Sequence, residues 1–296
     1  MTGLQLQWLV GDDWDGKLLR EFLKEEKKLS KRALADIKFA GGSIFVNGEF
    51  ATVRKTLQMN DEVEIIFPAE VRSGSIVPEK IGLDILYEDA HLLVVNKPAG
   101  MPTIPSRDHV SGTLANAVLY YYDQHGISST FHAVNRLDKD TSGIVVIAKH
   151  RFAHDLMAKE QQNGGIHREY IAITHGIITT QKGTINAPIG RKTDSIIERE
   201  VRSDGQKAIT HFRVLSRTAE ETVVRVKLET GRTHQIRVHF SNLGHPLIGD
   251  DLYGGERTKI ERQALHSFYC SFLHPLTLEK VSLEAPLPPD MKNWIE

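Results

Sequence analysis

Apolar and polar residues alternate from Leu4 through Trp8, which predicts a short strand. Beyond it Leu18, Leu19, Phe22 and Leu23 recur on one helical face, with Asp15 placed to cap that helix. Ser30 caps a second helix, in which Ala33, Leu34 and Ile37 share a face and which stops at Gly41-Gly42. The run Ser43-Ile44-Phe45-Val46 leads into Asn47-Gly48, a pair suited to the positive φ angles of a tight hairpin. Val63, Ile65 and Phe67 then alternate with acids in a closing strand. Two helices and a small sheet predict a compact unit over residues 1–68. Residues 69–82, with Ser73-Gly74-Ser75 and Pro78, read as a linker.

The texture changes from Leu83 onward. Residues 83–87 and 91–95 are strand-like and bracket Glu88-Asp89, and Thr113 caps a helix with Leu114, Ala117, Val118 and Tyr121 inward. Another strand is predicted near 168–174, and alternating segments continue to Leu228. Thr233 opens a helix with Ile236, Phe240 and Leu243 on one face and Gly244 beyond its end. Many strands with few regular βαβ units predict an α+β unit over 83–296: a mixed, mainly antiparallel sheet flanked by helices and loops.

Composition narrows the setting without naming a function. The chain is 40% hydrophobic and 25% charged, ordinary for a soluble globular protein. It contains no apolar run of about 18 residues that would cross a bilayer. Met1-Thr2-Gly3-Leu4 lacks the regions of a secretory signal, and the lone Cys270 excludes an internal disulfide framework and a multi-cysteine zinc site. The cytoplasm is the expected compartment. A formal net charge of −1 argues against whole-molecule attraction to nucleic acid. Locally the balance differs: between Lys17 and Lys38 eight bases face four acids. That is the footprint of a nucleic-acid binder, or equally of a solvated helix face.

The densest candidate chemistry is the turn Asn135-Arg136-Leu137-Asp138-Lys139-Asp140-Thr141-Ser142-Gly143, which enters the apolar run Ile144-Val145-Val146-Ile147-Ala148. A turn made only for reversal would use Gly, Asn or Pro, so a carboxylate beside a cation at a strand end points to chemistry. Downstream, Arg232 precedes a helix N-terminus, where an anion is favoured. Were it within 4 Å of Asp138, the attraction would be roughly 4 kcal/mol at an effective dielectric of 20. Asp138-Lys139-Asp140-Thr141 also fits the D-x-D-x-T pattern of haloacid-dehalogenase-type phosphatases, with Gly249-Asp250-Asp251 as mimic of their metal-binding acids. Asn135-Arg136 interrupts the strand that such a fold runs straight into its first Asp, which disfavours that reading. The pairs His234/His239 and His239/His245 are not at i,i+4 spacing and lack a Cys or carboxylate companion motif, so no metal site is expected.

Taken together, four ordered segments resemble the RluA/RluD-type pseudouridine synthases. They are Asn96-Lys97-Pro98-Ala99-Gly100, the Arg136–Gly143 turn, Arg168-Glu169-Tyr170, and the block from Gly231-Arg232-Thr233-His234-Gln235-Ile236-Arg237 to Gly249-Asp250. The resemblance covers residues from about 83 to 289. The preceding unit is similar to the alpha-L RNA-binding motif of a ribosomal protein, whose second helix and hairpin present basic side chains to RNA; Lys31, Arg32, Lys38, Arg54 and Lys55 match those positions.

The resemblance implies an RNA isomerase that needs no cofactor and no metal, converting specific uridines to pseudouridine in structured RNA. Large-subunit ribosomal RNA is the first expectation and transfer RNA the second, with a monomeric protein. The target base must be flipped out or already unpaired. By its place in the motif Asp138 is the catalytic carboxylate, acting on the sugar as nucleophile or as base. Arg232 would pair with and orient it, Tyr170 would pack against the base and assist proton transfer, and Arg136 would hold the RNA open. The family usually has His where this chain has Asn135, which leaves open how that side of the pocket meets RNA. The non-enzyme alternative, an RNA-binding protein with a degenerate synthase domain, would not need Asp138, Tyr170 and Arg232.

Overall fold

The structure is a computed structural model that describes residues 3–295; residues 1–2 and 296, the ends of the two expected units, lie outside it. The small unit is built on four strands, β1 (Gln5–Leu9), β2 (Ser43–Val46), β3 (Glu49–Phe50) and β4 (Glu62–Ile66), ordered β1-β4-β2-β3 and antiparallel throughout. Its first helix departs from expectation. A single α turn, α1 (Leu19–Glu21), runs into a wider turn over Phe22–Glu26, and Asp15 does not cap it. The Asp15 carboxylate instead accepts from the Met59 amide at 2.9 Å, tying the start of the unit to its closing loop. Leu19, Phe22 and Leu23 are buried as the pattern requires. Ser30 caps α2 (Lys31–Phe39) by accepting from the Ala33 amide at 3.1 Å, and Leu34 and Ile37 face inward.

Twelve strands belong to the rest of the chain: β5 (Ile85–Glu88), β6 (Leu92–Lys97), β7 (His132–Ala133), β8 (Ser142–Ala148), β9 (His167–His175), β10 (Lys182–Asn186), β11 (Ile189–Arg191), β12 (Arg199–Val201), β13 (Ile209–Arg217), β14 (Glu221–Leu228), β15 (Leu265–Leu273) and β16 (Lys280–Glu284). Ten form one sheet, with the path β10-β13-β14-β9-β15-β8-β6-β5, β16 added on β15 and β7 on β8. β11 and β12 make a separate hairpin. Among the described residues only β8 and β15 pair in parallel. The sheet is therefore mixed and mainly antiparallel, as the pattern predicts. Every residue of β8 is buried, which explains its unbroken apolar run.

Helices α3 (Leu114–Gln124) and α5 (Gln235–Asn242) share one core with Val95, Val145, Tyr170, Val224 and Val226. Thr113 caps α3 in a reciprocal box with Asn116. α5 begins one residue later than Thr233 would cap it, with His234 as its N-cap, and Leu243 is exposed rather than inward. α4 (Arg151–Gln162) and the short α6 (Pro289–Lys292) complete the helices. None is long and apolar enough to cross a membrane.

α4 also joins the two units. Phe152 enters the small unit's core and stacks on Phe67 with centroids 5.4 Å apart. Arg151 reaches Asp36 at 3.5 Å, and Lys159 donates to the Lys28 carbonyl at 2.7 Å. The expected linker has no regular structure but is strapped down. Arg72 donates to the Ser129 carbonyl at 2.6 Å, and Asn116 donates to that of Val77 at 2.7 Å. Glu70 accepts from the Arg151 amide at 2.7 Å and lies 2.6 Å from His132 Nε2.

Burial alone would raise the Glu70 carboxyl, but bonding and charge from His132, with the Arg151 amide and Thr130, hold it at about 2 against an ordinary 4.5. A carboxyl depressed in the fold contributes stability above its unfolded value and loses it as pH falls through the folded one. Glu70→Gln should therefore lower stability by up to about 3 kcal/mol at pH 6, with the deficit closing between pH 4.5 and 2. Urea titrations of both proteins across that range check this; a deficit that does not change with pH would remove Glu70 as its source.

Candidate active site

The turn after β7 is held at nearly every backbone position. Thr103 Oγ1 donates to the Leu137 carbonyl at 2.8 Å and accepts from its amide at 3.2 Å, and the Asp138 carbonyl accepts from the Thr141 amide at 3.1 Å. Lys97 Nζ donates to the Lys139 carbonyl at 3.0 Å, and Arg262 donates to that of Asp140 at 3.1 Å. Asp138 is thus placed by bonds that do not involve its own carboxylate.

Asn135 is a structural member of this frame. Its amide donates to the Ile144 carbonyl at 3.1 Å, and its oxygen accepts from the Val146 amide at 2.8 Å. It is buried and braces β8, so it is not a surface for RNA. The opposite brace is Lys97, fully buried at the end of β6, whose Nζ also reaches the carbonyls of Pro98 and Met101 at 2.8 and 2.6 Å. Burial pulls its pKa down to about 7, opposed by Asp138 and Asp140. Three accepting carbonyls match the three donors of the ammonium form.

Gly143 lets the turn enter the sheet. Its φ is +111°, and a Cβ there would lie 2.2 Å from the Ser267 carbonyl oxygen across the parallel β8–β15 contact. Ser267 is in turn the register partner of Tyr170 on β9, so this approach sets the distance between the Asp138 turn and Tyr170. Gly143→Ala combines a disfavoured φ with a clash against backbone and should cost at least about 2 kcal/mol. The denaturant midpoint measures it; an unchanged midpoint would mean that the two strands can separate at little cost.

Asp138, Arg136, Tyr170, Arg232, His234 and Arg237 line one pocket, with a cavity volume of ≈70 Å³. Two larger cavities, of ≈710 Å³ between the units and ≈740 Å³ beside β10 and β13, contain none of these residues, and one of ≈380 Å³ holds Arg232 alone of them. The small one is the candidate site because ionisable groups converge there. Arg237, on α5, forks onto Asp250 through two bonds of 2.7 Å and turns its remaining edge to Asp138 Oδ2 at 3.2 Å. Burial opposes the guanidinium charge, but Asp250 and Asp138 outweigh it and raise its pKa above the ordinary value. Tyr170 is buried, and burial raises its phenol pKa, with Asp138 adding to the shift, so it stays protonated.

The expected pairing of Arg232 with Asp138 is not found. Arg232 lies on the pocket rim, exposed, with Nε donating to the Lys207 carbonyl at 3.0 Å. Further on, inside α5, Arg237 has the inward position and makes the ion pair. Asp250 is its anchor, not a metal ligand mimic. The local pattern does not separate the two arginines; the burial of α5 along Gln235–Phe240 does, because an arginine inside such a segment requires an acid. Arg136 is exposed at the mouth and has no hydrogen-bond or ion-pair partner among the described residues.

The five expected basic contacts of the small unit are all exposed. Lys31 and Lys38 line one groove with Arg20 and Lys24, alongside Glu21 and Glu25; Arg32, Arg54 and Lys55 are outside it.

A family profile described as RNA pseudouridylate synthase matches residues 91–242, which hold the turn, Tyr170 and Arg237. The chain belongs to that family. It is 53% identical over 271 residues to the uncharacterised RNA pseudouridine synthase YjbO of Bacillus subtilis, covering 92% of this chain and 96% of the relative. It is 40% identical over 264 residues to the ribosomal large subunit pseudouridine synthase D of Pseudomonas aeruginosa, covering 84% and 82%. Among solved structures it resembles human RNA pseudouridylate synthase domain containing 1, at 29% identity and a TM-score of 0.59, covering 72% of this chain and 87% of that one. These relatives place the chain in the RluA/RluD-type branch, and as a pseudouridine synthase it is an isomerase acting on RNA.

Proposed function

We propose that this synthase converts specific uridines of large-subunit ribosomal RNA to pseudouridine, with Asp138 as its catalytic carboxylate. The observation that carries the reading is the Asp250–Arg237–Asp138 chain: a buried fork leaves one guanidinium edge for a carboxylate that opens to solvent through the pocket mouth. Relatives named for the ribosomal large subunit support the choice of RNA.

The reaction breaks the N1–C1′ bond of uridine, makes a C5–C1′ bond, loses the C5 proton and returns a proton to N1. No electrons are gained or lost overall, so the chemistry calls for no redox cofactor. Asp138 acts at the sugar as nucleophile or as base, with Arg237 bonded to it and orienting it. Tyr170 packs against the flipped uracil and relays the C5 proton, giving up its own proton as it takes that one. Flipping costs a few kcal/mol, and one stacked side chain returns about 1–3 kcal/mol. Arg136, free at the mouth, holds the opened RNA, and Arg232 on the rim meets phosphate rather than Asp138.

The small unit, residues 1–68, adds RNA contacts through Lys31, Arg32, Lys38, Arg54 and Lys55. The setting we propose is cytoplasmic and the working form a monomer. Pseudouridine maps of ribosomal and transfer RNA from cells with and without the protein test the assignment. Loss of one or a few sites confined to large-subunit RNA is expected. Unchanged maps would overturn the function, and losses confined to transfer RNA would overturn the substrate.

A further inference from the structure

Beside Asp138 the pocket holds a polar group that the reaction as drawn does not use, the imidazole of His234. It caps α5 from the left-handed region, with φ 57° and ψ 18°. Non-glycine residues seldom adopt that conformation, so the surroundings must hold it. The holder is Tyr253. Its ring meets the imidazole edge-on at 5.6 Å, its hydroxyl is 2.8 Å from His234 Nδ1, and Arg237 covers its face at 5.0 Å.

The hydrogen-bond directions follow from the donors available. Tyr253 Oη accepts the Arg199 amide of β12 at 2.9 Å, and burial raises the phenol pKa, so its own proton is present and needs an acceptor. His234 Nδ1 is that acceptor. The imidazole proton then sits on Nε2, which lies 3.8 Å from Asp138 Oδ2. Burial lowers the His234 pKa, opposed by Asp138 and reinforced by Arg237, which favours the neutral ring.

An N–H and a carboxylate oxygen 3.8 Å apart are too far for a direct bond. They are correctly spaced for one atom between them, about 2.8 Å from each. That atom must accept from Nε2–H and donate to Oδ2, which a hydroxyl does and a carbonyl or phosphate oxygen does not. Asp138 works at the sugar, and the hydroxyl adjoining the reacting C1′ is the 2′-hydroxyl. We propose that His234 Nε2–H and Asp138 Oδ2 together bind the 2′-hydroxyl of the target nucleotide, making His234 the residue that reads ribose against deoxyribose at the reacting position. This rests on the pseudouridine synthase reading above.

The probe is a large-subunit RNA stem-loop carrying a uridine that the wild-type protein converts, made with either uridine or 2′-deoxyuridine at that position. Failure of the wild-type protein to convert any such RNA would count against the function, not against His234. Binding is measured by fluorescence anisotropy in the Asp138→Asn protein, where the carboxamide oxygen keeps the shape and turnover is off. The uridine RNA should bind about tenfold more tightly than its deoxy counterpart. Adding His234→Phe should reduce that ratio to less than about twofold, because the ring remains but Nε2–H is gone. His234→Asn, which tolerates the left-handed backbone but whose amide stops short of Nε2, should do the same if the Phe variant does not fold. A tenfold ratio surviving in either folded variant overturns the proposal. So does equal weakening of both RNAs, the mark of a purely structural role.

Discussion

Asp138→Asn should abolish pseudouridine formation, lowering the rate by at least about 10³-fold, while leaving the fold and RNA affinity nearly unchanged. The separation follows from how the turn is built. Its backbone is fixed by Thr103, Lys97 and Arg262, none of which bonds the Asp138 carboxylate. The carboxylate's one hydrogen bond among the described residues, from Arg237, is 3.2 Å long, against 2.7 Å for each arm of the fork to Asp250. Removing the charge at 138 leaves Arg237 paired, so the expected stability change is within about 1 kcal/mol. Release of tritium from RNA labelled at uridine C5 reads the reaction directly, since that hydrogen leaves in every turnover. Tritium release near the wild-type rate would remove Asp138 from the mechanism, and a large fall in the denaturant midpoint would show that the turn depends on its carboxylate.

The parts of this site that were legible in the sequence are those fixed by neighbours along the chain. The apolar run after Gly143 is the fully buried β8, Ser30 and Thr113 cap the helices they precede, and the charged turn lies at the end of a central strand. What local pattern does not encode is which distant group each charged residue meets. Arg232 and Arg237 lie in the same motif, and the helix-dipole argument favours the one nearer the N-terminus. The fold favours the other, because α5 crosses the sheet with Arg237 facing both Asp138 and Asp250. Lys97 read alone is a residue before a turn-forming proline. Only the antiparallel β6–β8 pairing, which sets Lys97 opposite Gly143, makes it a clamp on the Asp138 turn. Asn135 is similar: its two bonds to β8 span nine and eleven residues and depend on the strand folding back. The wide turn over Phe22–Glu26 escaped because the apolar spacing of Leu19, Phe22 and Leu23 suits a regular helix equally well. The strapped linker escaped because Glu70 and Arg72 find partners 51–81 residues away, in a segment whose composition signals only the lack of regular structure.

Arg237→Leu should be the most damaging single change to stability in the site, costing about 3–5 kcal/mol, and it should also remove activity. Asp250 has no solvent exposure at its side chain, and Arg237 supplies both of its charge-assisted bonds. Leucine fills much of the stem volume but leaves a buried carboxylate with no cation. Such a carboxyl is pushed above its unfolded pKa, so it binds its proton more readily in the folded state. The sign of the pH dependence follows: the penalty is full at neutral pH and shrinks as the solution is acidified toward the unfolded carboxyl value. A merely misshapen core would show no such recovery. The double variant Arg237→Leu/Asp250→Leu removes both charges and should regain most of the lost stability, since a buried pair is often replaceable by apolar groups at little net cost. It should not regain turnover, because Asp138 would still lack the cation that holds it. Denaturant midpoints of the single and double variants at two pH values, with tritium release on the same samples, separate the two roles of Arg237. Stability recovered together with activity would show that the guanidinium serves the fold alone.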